Sequence, residues 1–250
     1  MPVIKYLVPS DFFVNFKKYL LGPFLLLQGL WVRKKTPSLP EPVNKTCGSI
    51  GQGKILNLLL LGDSSAAGVG VETAEASLLG QLLQNLSPHY HVNYQMIAKT
   101  GQTTAGMIDV LMPLVNKPFD VVITALGVND VTSQVPVEKW LCQQHELIVL
   151  IRQKFSPQKI IVSGLPPVRE FPALPWPLNA YMGDWADAFN EALINLCNQH
   201  DTVDFQSLRD YPVEAQAAVD GFHPGPVVYS LWAQYLSEGI STLVLNNDSD

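Results

Sequence analysis

Ser64 closes the short motif Gly62-Asp63-Ser64, and a second motif, Asp220-Gly221-Phe222-His223-Pro224, stands far downstream. Together these residue types have the makings of acyl transfer. A serine hydroxyl is a weak nucleophile until a base takes its proton, and the base must itself be held by a third group, usually a carboxylate. His223 and Asp220 supply that pair. Gly221 and Pro224 favour a turn in which the carboxylate accepts a hydrogen bond from Nδ1 and Nε2 is left facing Ser64. A tetrahedral intermediate also needs donors in place before its negative charge develops. The candidates are the backbone N–H of Ser64, the backbone N–H of Gly101 in Thr100-Gly101-Gln102, and the side-chain amide of Asn129 in Gly127-Val128-Asn129-Asp130. A protonated imidazole cannot act as base, so activity is expected to fall towards acid pH.

Each motif is weak alone. Gly-Asp-Ser after a strand commonly just caps the next helix, Gly-x-Asn-Asp is a common turn, and Asp-x-x-His fits a surface loop. Their shared placement carries the reading. Residues 55–62 form a nearly continuous leucine run, as expected of a strand buried on both faces, and its polar end holds Ser64. Helical periodicity follows at 74–86, alternation at 91–98, and a helix at 103–114. A β-branched strand at 119–126 runs straight into the Asn129 turn. A helix at 139–155, a strand at 159–163, a helix at 185–200, a short strand at 202–205 and a helix at 226–243 complete the pattern. Strand and helix alternate throughout, which predicts a central parallel sheet with right-handed crossovers, helices on both faces and the polar motifs gathered at the strands' carboxyl edge. Asp63 and Asp130 read as acceptors that brace these loops. As a glycosidase pair they would leave Ser64 and His223 without a role. His89, His91, His145 and His200 read as surface or helix-end histidines.

The bulk numbers narrow the partners. The chain has 250 residues, 47% hydrophobic and 15% charged, which suits one large α/β domain with an appendage. A net charge of -6, with Arg33-Lys34-Lys35 as the one basic cluster, argues against nucleic acid. Cys47, Cys142 and Cys197 lack metal-ligand or disulfide spacing, so neither a metal site nor a disulfide framework is expected. Residues 19–32 are apolar with basic residues on both sides. That run is too short for a span, carries Gly22-Pro23 inside it, and lacks a cleavage site, so no cleavable signal peptide is expected. Two readings stand for it: an interfacial segment giving peripheral membrane association, or a helix packed on the domain. A cytoplasmic or membrane-associated location is expected. Residues 1–52 are read as this segment plus a proline-rich linker, and 53–245 as the catalytic domain.

The order of these four blocks resembles the SGNH (GDSL-type) hydrolase superfamily, at Ser64, Gly101, Asn129 and His223. The resemblance covers residues from about 55 to 240. It implies a flavodoxin-like three-layer α/β/α sandwich, a Ser64-His223-Asp220 triad, an oxyanion hole of Ser64, Gly101 and Asn129, and no metal or cofactor. Ser65 stands where many members carry leucine, and the segment before Gly101 lacks the usual Asn-x-Gly. Ala66 stands where the second glycine of a Gly-x-Ser-x-Gly elbow would fall, which disfavours the α/β-hydrolase fold. The expected activity is hydrolysis of small or medium-chain carboxylic esters. A lysophospholipase or thioesterase of the same fold is the near alternative, and a non-catalytic flavodoxin-like binding module the alternative from another class. The proline-rich, aromatic stretch 165–181 reads as a functional loop in which Phe171, Trp176 and Tyr181 form an apolar wall beside the substrate.

Overall fold

The computed structural model describes the backbone of residues 11–211 and 216–247 and the side chains of 21–211 and 216–241. Six strands form one sheet: β1 (Cys47–Ile50), β2 (Lys54–Gly62), β3 (Tyr90–Ala98), β4 (Val121–Ala125), β5 (Lys159–Ser163) and β6 (Val203–Gln206), in the order β1-β3-β2-β4-β5-β6. β2 through β6 are parallel, and β1 runs antiparallel on β3. Leu58–Leu61 of β2 and Val121–Ala125 of β4 are buried throughout, as strands covered on both faces must be.

The helices follow from the direction in which strands are added. α3 (Leu78–Leu86) carries the chain from β2 outwards to β3. α4 (Thr104–Leu111) then carries it back across β2 to β4, and α6 (Val137–Phe155) and α7 (Leu178–Cys197) continue the same way. Right-handed crossovers therefore put α3 on one face and α4, α6 and α7 on the other, and the terminal α8 (Pro226–Asn247) packs beside α3. This is the three-layer α/β/α sandwich expected from the sequence. The direction of strand addition reverses at β2, so a crevice opens between the carboxyl ends of β2 and β4. Two short helices start in it: α2 (Ser64–Ala67) and α5 (Val128–Thr132).

Some local expectations change. β1 lies in the stretch read as linker. Its four residues are all exposed, so no apolar alternation betrays it, yet they pair in register from Cys47 with Gln95 to Ile50 with Val92. α7 begins at Leu178, ahead of the expected start at 185, because Leu178, Tyr181, Met182 and Trp185 already form a buried i, i+3, i+4, i+7 stripe. α1 (Asp11–Lys35) runs unbroken through Gly22-Pro23. A proline inside a helix costs about 3 kcal/mol; burial of Leu25, with Leu21 and Val32 packed beside it, and the contact of α1 with α7 offset that cost. Among the described residues no helix is long and apolar enough to cross a membrane.

Candidate active site

Ser64 is the first residue of α2, immediately past β2. The turn there is tight. A side chain at Gly62 would come within 2.8 Å of the Ala125 carbonyl, so the close approach of β2 and β4 at this point requires glycine. Asp63 caps α2: its Oδ1 accepts from the Ser65 N–H at 3.0 Å and from the Ser65 hydroxyl at 2.6 Å. Ser65, the departure from the family's leucine, thus adds a second bond to the cap.

At the far end of the domain, Gly221 has φ +65°, a left-handed conformation that glycine adopts without strain. It folds the chain so that Asp220 Oδ1 accepts from the N–H groups of Phe222 and His223, both at 3.0 Å. Asp220 Oδ2 accepts from His223 Nδ1 at 2.5 Å, and the Ser64 hydroxyl donates to His223 Nε2 at 2.9 Å. The tautomer follows from the partners: a carboxylate only accepts, so Nδ1 carries the hydrogen and Nε2 is basic. Burial pushes the Asp220 carboxyl up, but the hydrogen bonds from His223 and Phe222 and the charge of the ring outweigh it and leave it below its usual value. The acid is thereby held ionised beside a ring that could become cationic. Tyr229 of α8 donates its hydroxyl to the Val69 carbonyl at 2.6 Å, tying α8 to the loop after α2.

Asn129 lies in α5, and its amide donates to Asp63 Oδ2 and to the Gln102 carbonyl, both at 3.1 Å. The nucleophile turn, the Gly101 loop and α5 are thus joined by one side chain. Neither the Ser64 N–H nor the Gly101 N–H donates to a protein acceptor among the described residues. Gly101, with φ +81°, is exposed and stands outside the pocket lining, adjoining the site through Gln102. Asp63 is 2% exposed; burial raises its carboxyl above the usual value, against the opposing bonds from Ser65 and Asn129. Asp130 is likewise raised by burial and accepts from the Thr104 N–H and hydroxyl. Thr104 Oγ1 in turn accepts from Trp140 and Gln144. Both acids brace loops, as read from the sequence.

Ser64 and His223 open onto a mainly apolar pocket of ≈ 60 Å³. Phe171 lines it, but Trp176 and Tyr181 do not. Trp176 is 78% exposed, its carbonyl held by Gln28 of α1, and Tyr181 is buried in the first turns of α7 with its ring near Trp185. The remaining wall comes from Leu165, the first residue of the stretch read as a functional loop, and from residues the sequence reading passed over. Leu165 is clamped by Asn190, whose amide bonds both its N–H and its carbonyl. Leu208 and Tyr211 lie just after β6, and Val228 and Trp232 are one turn apart on α8. A loop following a strand at this edge was the available signal for Leu208 and Tyr211. Glu41, from the linker, also reaches the site: its Oε1 accepts from the Thr100 N–H at 3.2 Å and the Thr100 hydroxyl at 2.6 Å, next to Gly101. Among the described residues no cluster of histidine, cysteine or acidic side chains could hold a metal ion.

Comparison with known proteins gives a consistent picture. The model of the GDSL-like lipase/acylhydrolase family matches residues 60–231. No curated protein sequence matches the chain. Among solved structures, a protein named TesA superposes with a TM-score of 0.60 at 21% identity, over 75% of this chain and 99% of its own. A member of the lipolytic G-D-S-L family from Veillonella parvula gives 0.58 at 18%, over 73% and 96%. The psychrotrophic esterase EstA from Pseudoalteromonas sp., inhibited by monoethylphosphonate, gives 0.57 at 14%, over 75% and 98%.

Proposed function

Because this chain belongs to the GDSL-like lipase/acylhydrolase family and is an ester-hydrolysing enzyme, we propose that it cleaves small or medium-chain carboxylic esters with Ser64 as nucleophile, His223 as general base and Asp220 as the group that orients the imidazole. The observation that carries this is the unbroken relay from the Ser64 hydroxyl to His223 Nε2 and from Nδ1 to Asp220, assembled from residues 159 apart and opening on a pocket. Ser64 Oγ attacks the carbonyl carbon while Nε2 takes its proton. The oxyanion receives hydrogen bonds from the N–H groups of Ser64 and Gly101 and from the Asn129 amide, which turns one of its two hydrogens from the Gln102 carbonyl to the substrate. Collapse expels the alcohol, which takes the proton back from His223, and leaves an acyl-Ser64. Water, deprotonated by the same imidazole, then releases the acid. Asp220 stabilises the imidazolium without taking its proton.

The apolar lining of the pocket, with Phe171, Leu208, Val228 and Trp232 in it, suits the hydrocarbon of an acyl group. The non-catalytic module has no use for a nucleophile and base joined in this way. The lysophospholipase or thioesterase reading keeps the same machinery and draws support from α1, whose residues 19–32 we assign to peripheral membrane association, while residues 53–245, with β1 added at the edge of their sheet, form the hydrolase domain. Ser64→Ala is expected to abolish turnover of p-nitrophenyl esters and labelling by a fluorophosphonate probe, while thermal unfolding stays near that of the parent. Persistent turnover or labelling would refute the assignment.

A further inference from the structure

α1 is partnered along one side only. Leu21, Leu25, Gln28 and Val32 lie against the domain, and on the outward side Phe24, Leu26, Leu27, Leu30 and Trp31 are 51%, 63%, 65%, 58% and 51% exposed. Five large apolar side chains within eight residues form a continuous patch rather than scattered exposure. The helix already has its packing partner in α7, so folding of the described domain does not account for the patch. Its charge is equally particular. In a chain of net charge -6, α1 has no acidic residue after Asp11 and ends in Arg33-Lys34-Lys35, with Lys35 Nζ 4.6 Å from the centre of the Trp31 ring.

The patch is joined to the pocket. Gln28 Nε2 donates to the Trp176 carbonyl at 2.9 Å, and the Trp176 ring extends 78% exposed beside it. Phe171, in the pocket lining, is five residues back along the chain, so at most about 18 Å of backbone separates them. The same stretch is tied to the histidine turn where the Ala173 N–H donates to the Gly221 carbonyl at 3.0 Å.

We propose that the outward face of α1, together with Trp176, is a seat for an anionic lipid surface, and that the seat presents the pocket to esters of small or medium acyl chain held in that surface. The inference rests on the reading of Ser64 as nucleophile. An apolar helix face with tryptophan at its edge and basic residues at its end is the arrangement that lies in a headgroup layer, the apolar side chains entering the acyl boundary and the cations meeting anionic headgroups. Each basic residue near such a surface adds roughly fivefold to partitioning at low salt. A second copy docked α1 against α1 complements this face less well, because α1 presents no acidic residue after Asp11 to the other copy's basic end.

The full chain should float with vesicles of phosphatidylcholine and phosphatidylglycerol, and at least tenfold less with phosphatidylcholine alone or at high salt. The triple variant Leu27→Ser, Leu30→Ser, Trp31→Ser should lose flotation yet hydrolyse soluble p-nitrophenyl acetate as the parent does, which excludes misfolding. Lysophospholipid in the anionic vesicles should be cleaved at least tenfold faster by the parent than by the triple variant. Ser64→Ala should still float. If it floats and its esterase activity persists, the nucleophile assignment fails and the surface seat stands. Failure of the parent to float on anionic vesicles overturns the seat, as does a dimer in light scattering that the triple variant dissolves without any vesicle binding. Equal lysophospholipid rates in parent and triple variant overturn delivery of the ester from that surface.

Discussion

The turn that follows β2 and the turn that precedes α8 each bury an aspartate beside a residue of the relay, but Asp63 ends above its usual range and Asp220 below it. Desolvation acts on both in the same direction. Their partners differ. Asp63 accepts hydrogen bonds from a backbone N–H, a hydroxyl and an amide, all neutral, whereas Asp220 accepts two backbone N–H bonds and the imidazole Nδ1–H. The charge of His223 lowers both acids, but against burial Asp63 has only the bonds from Ser65 and Asn129 besides, whereas Asp220 takes the ring's Nδ1–H directly together with two backbone N–H bonds. Two buried acids at one sheet edge are therefore fitted for different work. Asp220 is an anion kept ready for a developing cation, and Asp63 is a brace that happens to be acidic.

The sharpest way to break this contrast is to neutralise each acid in turn. Asp220→Asn removes the anion that fixes the tautomer and stabilises the imidazolium, and kcat for a p-nitrophenyl ester should fall by about 10⁴. A loss under tenfold would mean that the two aspartates are equivalent. Asp63→Asn keeps a cap acceptor but cannot serve Ser65 and Asn129 as well as a carboxylate does, so kcat should fall by about 10- to 100-fold with KM nearly unchanged. That is less than the loss expected when an oxyanion donor is removed outright.

Stability should separate the two acids by sign. The raised Asp63 contributes stability that is fully present below its unfolded-state pKa and is lost as pH rises through the folded value. Asp63→Asn cannot titrate, so its Tm should gain on the parent as pH goes from acid to neutral. The lowered Asp220 contributes stability present above its unfolded-state pKa and lost as pH falls through the folded value. The deficit of Asp220→Asn should accordingly shrink on acidification. Parallel Tm–pH curves for the two variants would contradict the contrast.

How far these roles were legible in the sequence depends on what physics writes locally. Strands buried on both faces read as leucine and valine runs, so β2, β4 and β5 and the edge they define were legible, and turn chemistry around Gly62, Gly127 and Gly221 marked where Ser64, Asn129 and His223 would stand. β1 was not, because an edge strand with all four side chains exposed carries no pattern. The prolines up to Pro177 masked the start of α7. Trp176 was misplaced for a more general reason: an aromatic residue in a loop announces contact area but not direction, and its surroundings are set by α1, far away in sequence. Phe171, from the same loop, does face the pocket and stacks edge-on against Phe222 at 5.0 Å. Phe171→Ala should therefore shift the preferred acyl length by one or two carbons in a p-nitrophenyl ester series, with a change of about tenfold in relative kcat/KM, or about 1.4 kcal/mol, the low end of what one methylene contributes in an apolar pocket.

The smallest effect tests whether the linker belongs to the same contrast. Glu41 sits on the surface, yet it accepts two bonds from Thr100, the residue before Gly101, while Asn44 donates to the Ala67 carbonyl at the end of α2 at 2.7 Å. The linker thus touches the loop of one proposed oxyanion donor and the helix of another. Exposed hydrogen bonds of this kind contribute about 1 kcal/mol or less to stability, so Glu41→Ala should leave Tm nearly unchanged. Its effect should be on orientation: a loop that is no longer tethered presents the Gly101 N–H correctly for a smaller fraction of the time. kcat should fall about threefold with KM unchanged, and Glu41→Gln, which retains an acceptor oxygen for Thr100, should restore most of it. A rise in KM at constant kcat would instead place Glu41 in substrate binding and remove the linker from the bracing network that Asp63 anchors.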